Sequence, residues 1–229
     1  MLFRSLEDLQ AEIAHLEILD RVDAEDTLHE EKRKHYSLIA SFNLSLRRLK
    51  SARLRQFIWL GVLPDDVTIT EKMAATLWDC QVREAREILR YLRGKALLLT
   101  GVSSEQLANY RVHDLLHDLA RNLLQASPHP EAVYQLPGLG LSITEAHQQL
   151  LSRYQKQTKK GLWHTLEDDG YIYNHLLWHL EKAQQIAQIH RLLREETAAG
   201  DNGWYSQCER EGKTAVFIKD IAKIGRAHV

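Results

Sequence analysis

Apolar residues at positions 6, 9, 13, 16 and 19 recur at helical spacing behind Ser5, a good N-cap, so residues 5–19 are predicted to form an amphipathic helix. The charged run at 20–35 reads as a solvated connector. Residues 36–50 give a second helix with Leu38, Phe42, Leu46 and Leu49 inward, and 51–62 a third with Leu54, Phe57, Ile58 and Val62 inward. Pro64-Asp65-Asp66 stops the third. Thr68 and Glu71 have the spacing of a capping box and open a short helix through Trp78. Val82, Ala85, Ile88, Leu89 and Leu92 share one face of a helix at 82–93, with Gly94 placed to end it.

The period then changes. Residues 96–100 and 110–112 read as two strands around a polar loop, and from Leu115 the apolar positions 115, 116, 119, 120, 123 and 124 return to helical spacing. Four helices, a hairpin and a helix are the order of a winged helix. Residues 127–142 hold three of the four prolines and read as an extended linker. Beyond it, Ser142 and Glu145 suggest a capping box for a helix through about Lys156, followed by helices at 171–183, 184–196, 203–211 and 213–223. The expected fold class is mainly α: a winged-helix domain with a small β-hairpin wing, followed by an all-α helical domain. The expected boundaries are 1–35 for a remnant helix and connector from a preceding helical domain, 36–126 for the winged helix, 127–142 for the linker and 143–222 for the helical domain. The string at 223–229 is the same as a common sequencing-library adapter read in one frame, and is set aside from the fold.

Composition narrows the chemistry. The 229 residues are 44% hydrophobic and 27% charged, enough to bury a core. A formal net charge of −1 excludes a chain-wide polycation, although 36–126 carries 13 basic against 9 acidic residues. Cys80 and Cys208 match no metal-ligand spacing and fit a reduced, cytoplasmic setting. No apolar run is long enough to span a membrane.

Candidate sites follow from placement. His113 falls where a strand turns into a helix, beside amide groups that favour phosphate, and Asp114 falls in the first helical turn, where a carboxylate is favoured. His113 and His117 also have the i, i+4 spacing of metal ligands, but no third ligand or cleft is legible, so no metal is expected. His175 and His179 repeat that spacing among aromatic residues and read as packed structural histidines. Arg83, Arg86, Arg90 and Arg93 lie on one arc of the helix at 82–93, where a DNA-binding winged helix would face the major groove; Glu84 and Glu87 lie close by and would repel phosphate. No Gly-x-x-x-x-Gly-Lys-Ser/Thr occurs, so the chain is not expected to hydrolyse ATP.

Val112-His113-Asp114 resembles the Met-His-Asp signature of the NB-ARC class of STAND signalling NTPases, with Val in place of Met. The resemblance extends over Ser41-Phe42-Asn43-Leu44-Ser45-Leu46, the run Leu63 to Ile69, Leu77-Trp78 and Leu97-Leu98-Leu99. The second half is similar to the helical domain of the apoptotic protease-activating factor branch, in the run Tyr173 to Leu180, then Ala187 to Leu193, then Ala215 to Asp220. What the resemblance implies is a regulatory switch module. His113, supported by Val112 and Asp114, would reach the β-phosphate of ADP on a neighbouring NTPase domain and control a closed-to-open transition and oligomerisation. ADP or ATP would be held with an upstream NTPase domain of the same parent chain, and none by this chain alone. A downstream repeat domain and a homo-oligomer of the activated form are further expected partners. The alternative is a winged-helix DNA-binding transcriptional regulator using the arginine arc.

Overall fold

A computed structural model describes residues 41–101, 109–131 and 135–227, with side chains through Ala222. The expected helix at 5–19 and most of the 101–109 loop lie outside the described residues. Helix α1 covers 41–47, and Leu46 and Leu49 go into the core as expected. Helix α2 (Ser51–Ile58) buries Leu54, Phe57 and Ile58, then tightens into a 3-10 turn, Trp59–Val62, whose four residues are all buried. Helices α3 (Glu71–Trp78) and α4 (Val82–Gly94) follow.

Several boundaries differ from expectation for local reasons. The cap of α3 is Thr70, whose hydroxyl accepts from Met73 N, rather than Thr68; Glu71 turns away to bind Arg86. Val82 is 40% exposed, while Ala85, Ile88, Leu89 and Leu92 are buried, so the apolar face of α4 begins one turn later than its pattern suggests. Gly94 stays inside α4, and the chain leaves through Ala96 in the left-handed region at φ 57°. Leu97 N bonds back to Leu92 O at 3.0 Å, which ties the expected start of the strand to the helix end. The strands are therefore short: β1 is Leu99–Thr100 and β2 is Tyr110–Arg111, antiparallel with Leu99 opposite Arg111. On its other side β2 bridges Ile69, with Ile69 N to Tyr110 O at 2.8 Å and Tyr110 N to Ile69 O at 3.1 Å. Tyr110 is thus pinned from both flanks and is 1% exposed.

Helix α5 (Asp114–Gln125) packs directly on the 3-10 turn, burying Leu116, His117, Ala120, Leu123 and Leu124. The segment after it, the expected linker, hydrogen-bonds back to the end of α5. Leu139 N bonds Leu123 O at 3.1 Å, Gly140 N bonds Ala126 O at 2.8 Å and Leu141 N bonds Leu124 O at 2.9 Å. These bonds satisfy carbonyls that a helix end leaves without intrahelical partners. Gly138 allows this approach, since a Cβ there would lie 2.1 Å from Ala126 O.

The second half is helical: α6 (Ile143–Gln155), a 3-10 turn at Trp163–Thr165, α7 (Ile172–Lys182), α8 (Ile186–Arg194), α9 (Gly203–Arg210) and α10 (Thr214–Ala227). The capping box of α6 is present in full: Ser142 Oγ accepts from Glu145 N at 3.2 Å, and the Glu145 carboxylate accepts from Ser142 N at 2.8 Å. The Ser142 hydroxyl, donating to the same carboxylate at 2.7 Å, and then this backbone bond lower the Glu145 pKa. Ser142→Ala is expected to lower stability by about 1 kcal/mol, read as a lower urea midpoint with unchanged slope.

The halves meet at α3 and α6. Arg153 donates to the Leu77 carbonyl at the end of α3 and lies 4.0 Å over the Trp59 ring. Gln157 donates to Thr76 Oγ1 at 3.0 Å, and Thr70 Oγ1 donates to Asp169 O at 2.7 Å. The observed fold class is mainly α with a small antiparallel hairpin, consistent with a winged helix followed by an all-α helical domain. No helix among the described residues is long and apolar enough to cross a membrane.

Candidate functional site

Strand β2 delivers the chain into Val112 and His113, and α5 begins at the next residue. Val112 is half-buried and packs against the core, while the next residue, His113, is exposed. His113 is the N-cap residue itself: its backbone is extended (φ −71°, ψ 141°) and its Nδ1 accepts from Leu115 N at 3.3 Å. Asp114 lies in the first turn of the helix, as expected, and is exposed; the cap is His113. This has a chemical consequence. A neutral imidazole with an accepting Nδ1 carries its proton on Nε2, so the exposed His113 presents a donor. The Phe42 ring lies 6.5 Å away, tilted at 54°.

The neighbouring histidine does something else. His117 is 4% exposed, with Nε2 2.9 Å from the Leu63 carbonyl and Nδ1 2.8 Å from Asp65 Oδ1. Both nitrogens are occupied, so His113 and His117 do not converge on a metal despite their spacing. No group of three or more His, Cys, Asp or Glu suited to a metal occurs among the described residues. His117 anchors the turn after the 3-10 segment to α5, and Arg121 assists by donating to Leu63 O at 3.3 Å. Arg111 pairs with Asp66. Asp65 also lies 3.6 Å from Arg121, so Asp65 and Asp66 each sit beside an arginine, while Asp114 next to His113 is exposed.

The arginine arc of α4 is partly neutralised. Arg86 Nε is 2.9 and 2.8 Å from the two Glu71 oxygens, and Arg83 lies 3.7 Å from Glu87, its i+4 neighbour. Arg90 and Arg93 are exposed. Pairing of Arg83 and Arg86 with carboxylates weakens the arc as a phosphate-binding face, because each pair must be broken to admit DNA.

In the second half, two carboxylates organise the turns, and sequence patterns did not reveal either. Asp169 Oδ1 accepts from Tyr171 N at 2.9 Å and Ile172 N at 2.8 Å, starting α7, while Oδ2 accepts from Tyr154 OH at 2.6 Å. The Asp169-Gly170 pair was the available signal, being a common turn and cap dipeptide. Glu195 is buried, and accepts from Trp163 N at 2.9 Å, His164 N at 3.0 Å and His164 Nδ1 at 2.8 Å. Nothing in its local sequence marks it.

Residues 143–195 thus form packed helices with carboxylates holding the turns at 163–164 and 169–172, following a helix–hairpin–helix unit that presents His113. That same stretch, 143–195, matches the family described as the APAF-1 helical domain. Comparison with curated proteins finds no match for the chain.

Proposed function

We propose that this chain is the switch segment of a STAND-type signalling ATPase, with a winged helix whose His113 senses ADP held by a neighbouring NB-ARC nucleotide-binding domain. The chain itself is not the catalyst; it locks the ADP-bound resting state and swings away on nucleotide exchange, permitting oligomerisation in the cytoplasm. The observation that carries this reading is the donor geometry at His113 next to an APAF-1-like helical domain. A capped, outward imidazole with its proton on Nε2 can donate to a β-phosphate oxygen. Such a bond to a charged acceptor is worth about 1.5–3 kcal/mol, a shift of about ten- to hundredfold between closed and open states.

His113→Ala and His113→Asn in the parent chain test this together. Asparagine is itself a strong N-cap and lacks the imidazole donor, so it preserves the start of α5. Both variants are expected to release ADP about ten- to hundredfold faster than wild type. Equal ADP dissociation rates in wild type and His113→Asn, measured with a fluorescent ADP analogue, would refute the sensor role.

A further inference from the structure

Four helices converge on a chain of buried polar groups that the sensor reading does not use. His147 on α6 is 2% exposed and its Nδ1 lies 2.7 Å from Nδ1 of His179 on α7, which is 0% exposed. The Nε2 of His179 lies 2.6 Å from the hydroxyl of Tyr171, itself 1% exposed. One Nδ1 must donate and the other accept, so both of these bonds form with the two imidazoles neutral. The ring of Trp178 packs edge-on against both, with centroids 4.9 Å from His147 and 4.8 Å from His179. His175 stacks on Tyr171 at 4.5 Å.

The charges around this chain have one sign on the histidine side. Arg121 from α5 and Lys182 from α7 act on His147, and Lys219 from α10 acts on His175; the carboxylate of Asp169 acts on Tyr171. Burial first, then these cations, push His147 and His175 down to about 4. Burial, with His147 and His175 behind it, holds His179 well below the usual imidazole range. A proton entering here loses water and meets like charge, and once both rings are protonated neither Nδ1 can accept, so the Nδ1 to Nδ1 bond is lost.

We propose that the His147–His179–Tyr171 chain is an acid-released latch, which docks α6 on α7 while neutral and lets α6 go when it takes up a proton. Because α6 also carries Arg153, which grips Leu77 O and Trp59, release of α6 loosens the contact between the two halves. The direction in pH follows from linkage. The unfolded or released histidines take up protons near 6.5, whereas the docked His147 resists to about 4 and the docked His179 is held well below the usual imidazole range. The stabilisation is complete above about pH 7, begins to fall near 6.5 and continues to fall toward about 4.

The test is hydrogen exchange on this chain between pH 7.5 and 4.5, corrected for the intrinsic pH dependence of exchange, with wild type beside His147→Gln. In wild type, α6 and α7 amides are expected to lose protection by about tenfold per pH unit below about 6.5 for each latch histidine taking up a proton, ahead of α2 and α4. In His147→Gln, which keeps a hydrogen-bonding side chain but cannot titrate, that slope is expected to shrink by one proton. Uniform loss across α2 to α10, or an unchanged slope in the variant, overturns the latch. If His147→Gln does not fold, NMR titration of the wild-type histidines decides: imidazoles that stay neutral until α6 opens support the latch, and imidazoles that titrate near 6.5 with α6 still protected overturn it.

Discussion

Gly61→Ala is expected to destabilise the protein by about 3 kcal/mol or more, the upper range for overpacking. Gly61 sits in the buried 3-10 turn where α5 crosses it, and a Cβ there would lie 2.4 Å from Arg121 N and 2.6 Å from both Ala120 C and Arg121 Cα. All three are backbone atoms of a helix interior, so no side chain can rotate out of the way. Helix α5 must move bodily, and it carries His117, which bonds Leu63 O at 2.9 Å, and Arg121, which reaches the same carbonyl at 3.3 Å. Those bonds stretch as the helix lifts, adding to the steric cost. For a chain of this size the melting temperature is expected to fall by roughly 6–12 °C. Thermal unfolding followed by circular dichroism measures this. A drop of less than about 2 °C would mean that α5 and the turn can separate without penalty, contrary to the packing described.

Glu195→Ala is expected to cost about 3–5 kcal/mol, because truncation strands buried donors as well as removing bonds. The side chain is 1% exposed and receives Trp163 N, His164 N and His164 Nδ1 within 2.8–3.0 Å. Without it, backbone amides of the 3-10 turn Trp163–Thr165 point into protein with no acceptor. The backbone bond from Gly203 N to Glu195 O, at 2.6 Å, survives, so the loss is confined to the side chain's partners. Glu195→Gln keeps the shape and one acceptor oxygen, and is expected to fall between wild type and Ala. Urea unfolding followed by tryptophan fluorescence reads the effect, since Trp163 and Trp204 are both 0% exposed. An alanine variant within about 1 kcal/mol of wild type would show that the turn finds other acceptors.

Helix positions were legible in the sequence because their apolar periods are strong and their caps local. Ser142 with Glu145 is the clearest case, and α4 was found by Ala85, Ile88, Leu89 and Leu92, all buried. The strands were overestimated because Leu97 and Leu98 look like strand residues; their burial comes instead from the chain folding back on the end of α4. Proline content made 127–142 read as an extended linker; that it hydrogen-bonds to the last carbonyls of α5 is a pairing no local pattern announces. At the candidate site, the position of His113 was legible from the change of period, but its capping role was not. Histidine is an uncommon cap, and Asp114 beside it is a commoner helix-start residue. The His147 to His179 bond joins residues 32 positions apart and could be seen only in three dimensions.

The seam between the halves also sets an order of events at the ribosome. Thr70 Oγ1 waits for Asp169, 99 residues later, and the carbonyl of Leu77 waits for Arg153, 76 residues later. At about 5–20 residues per second, the front half spends roughly 4–15 s of synthesis after Leu77 with that carbonyl lacking Arg153 and one face of Trp59 bare. The nascent chain is most exposed to wrong pairing over that interval, and the arrival of α6 ends it.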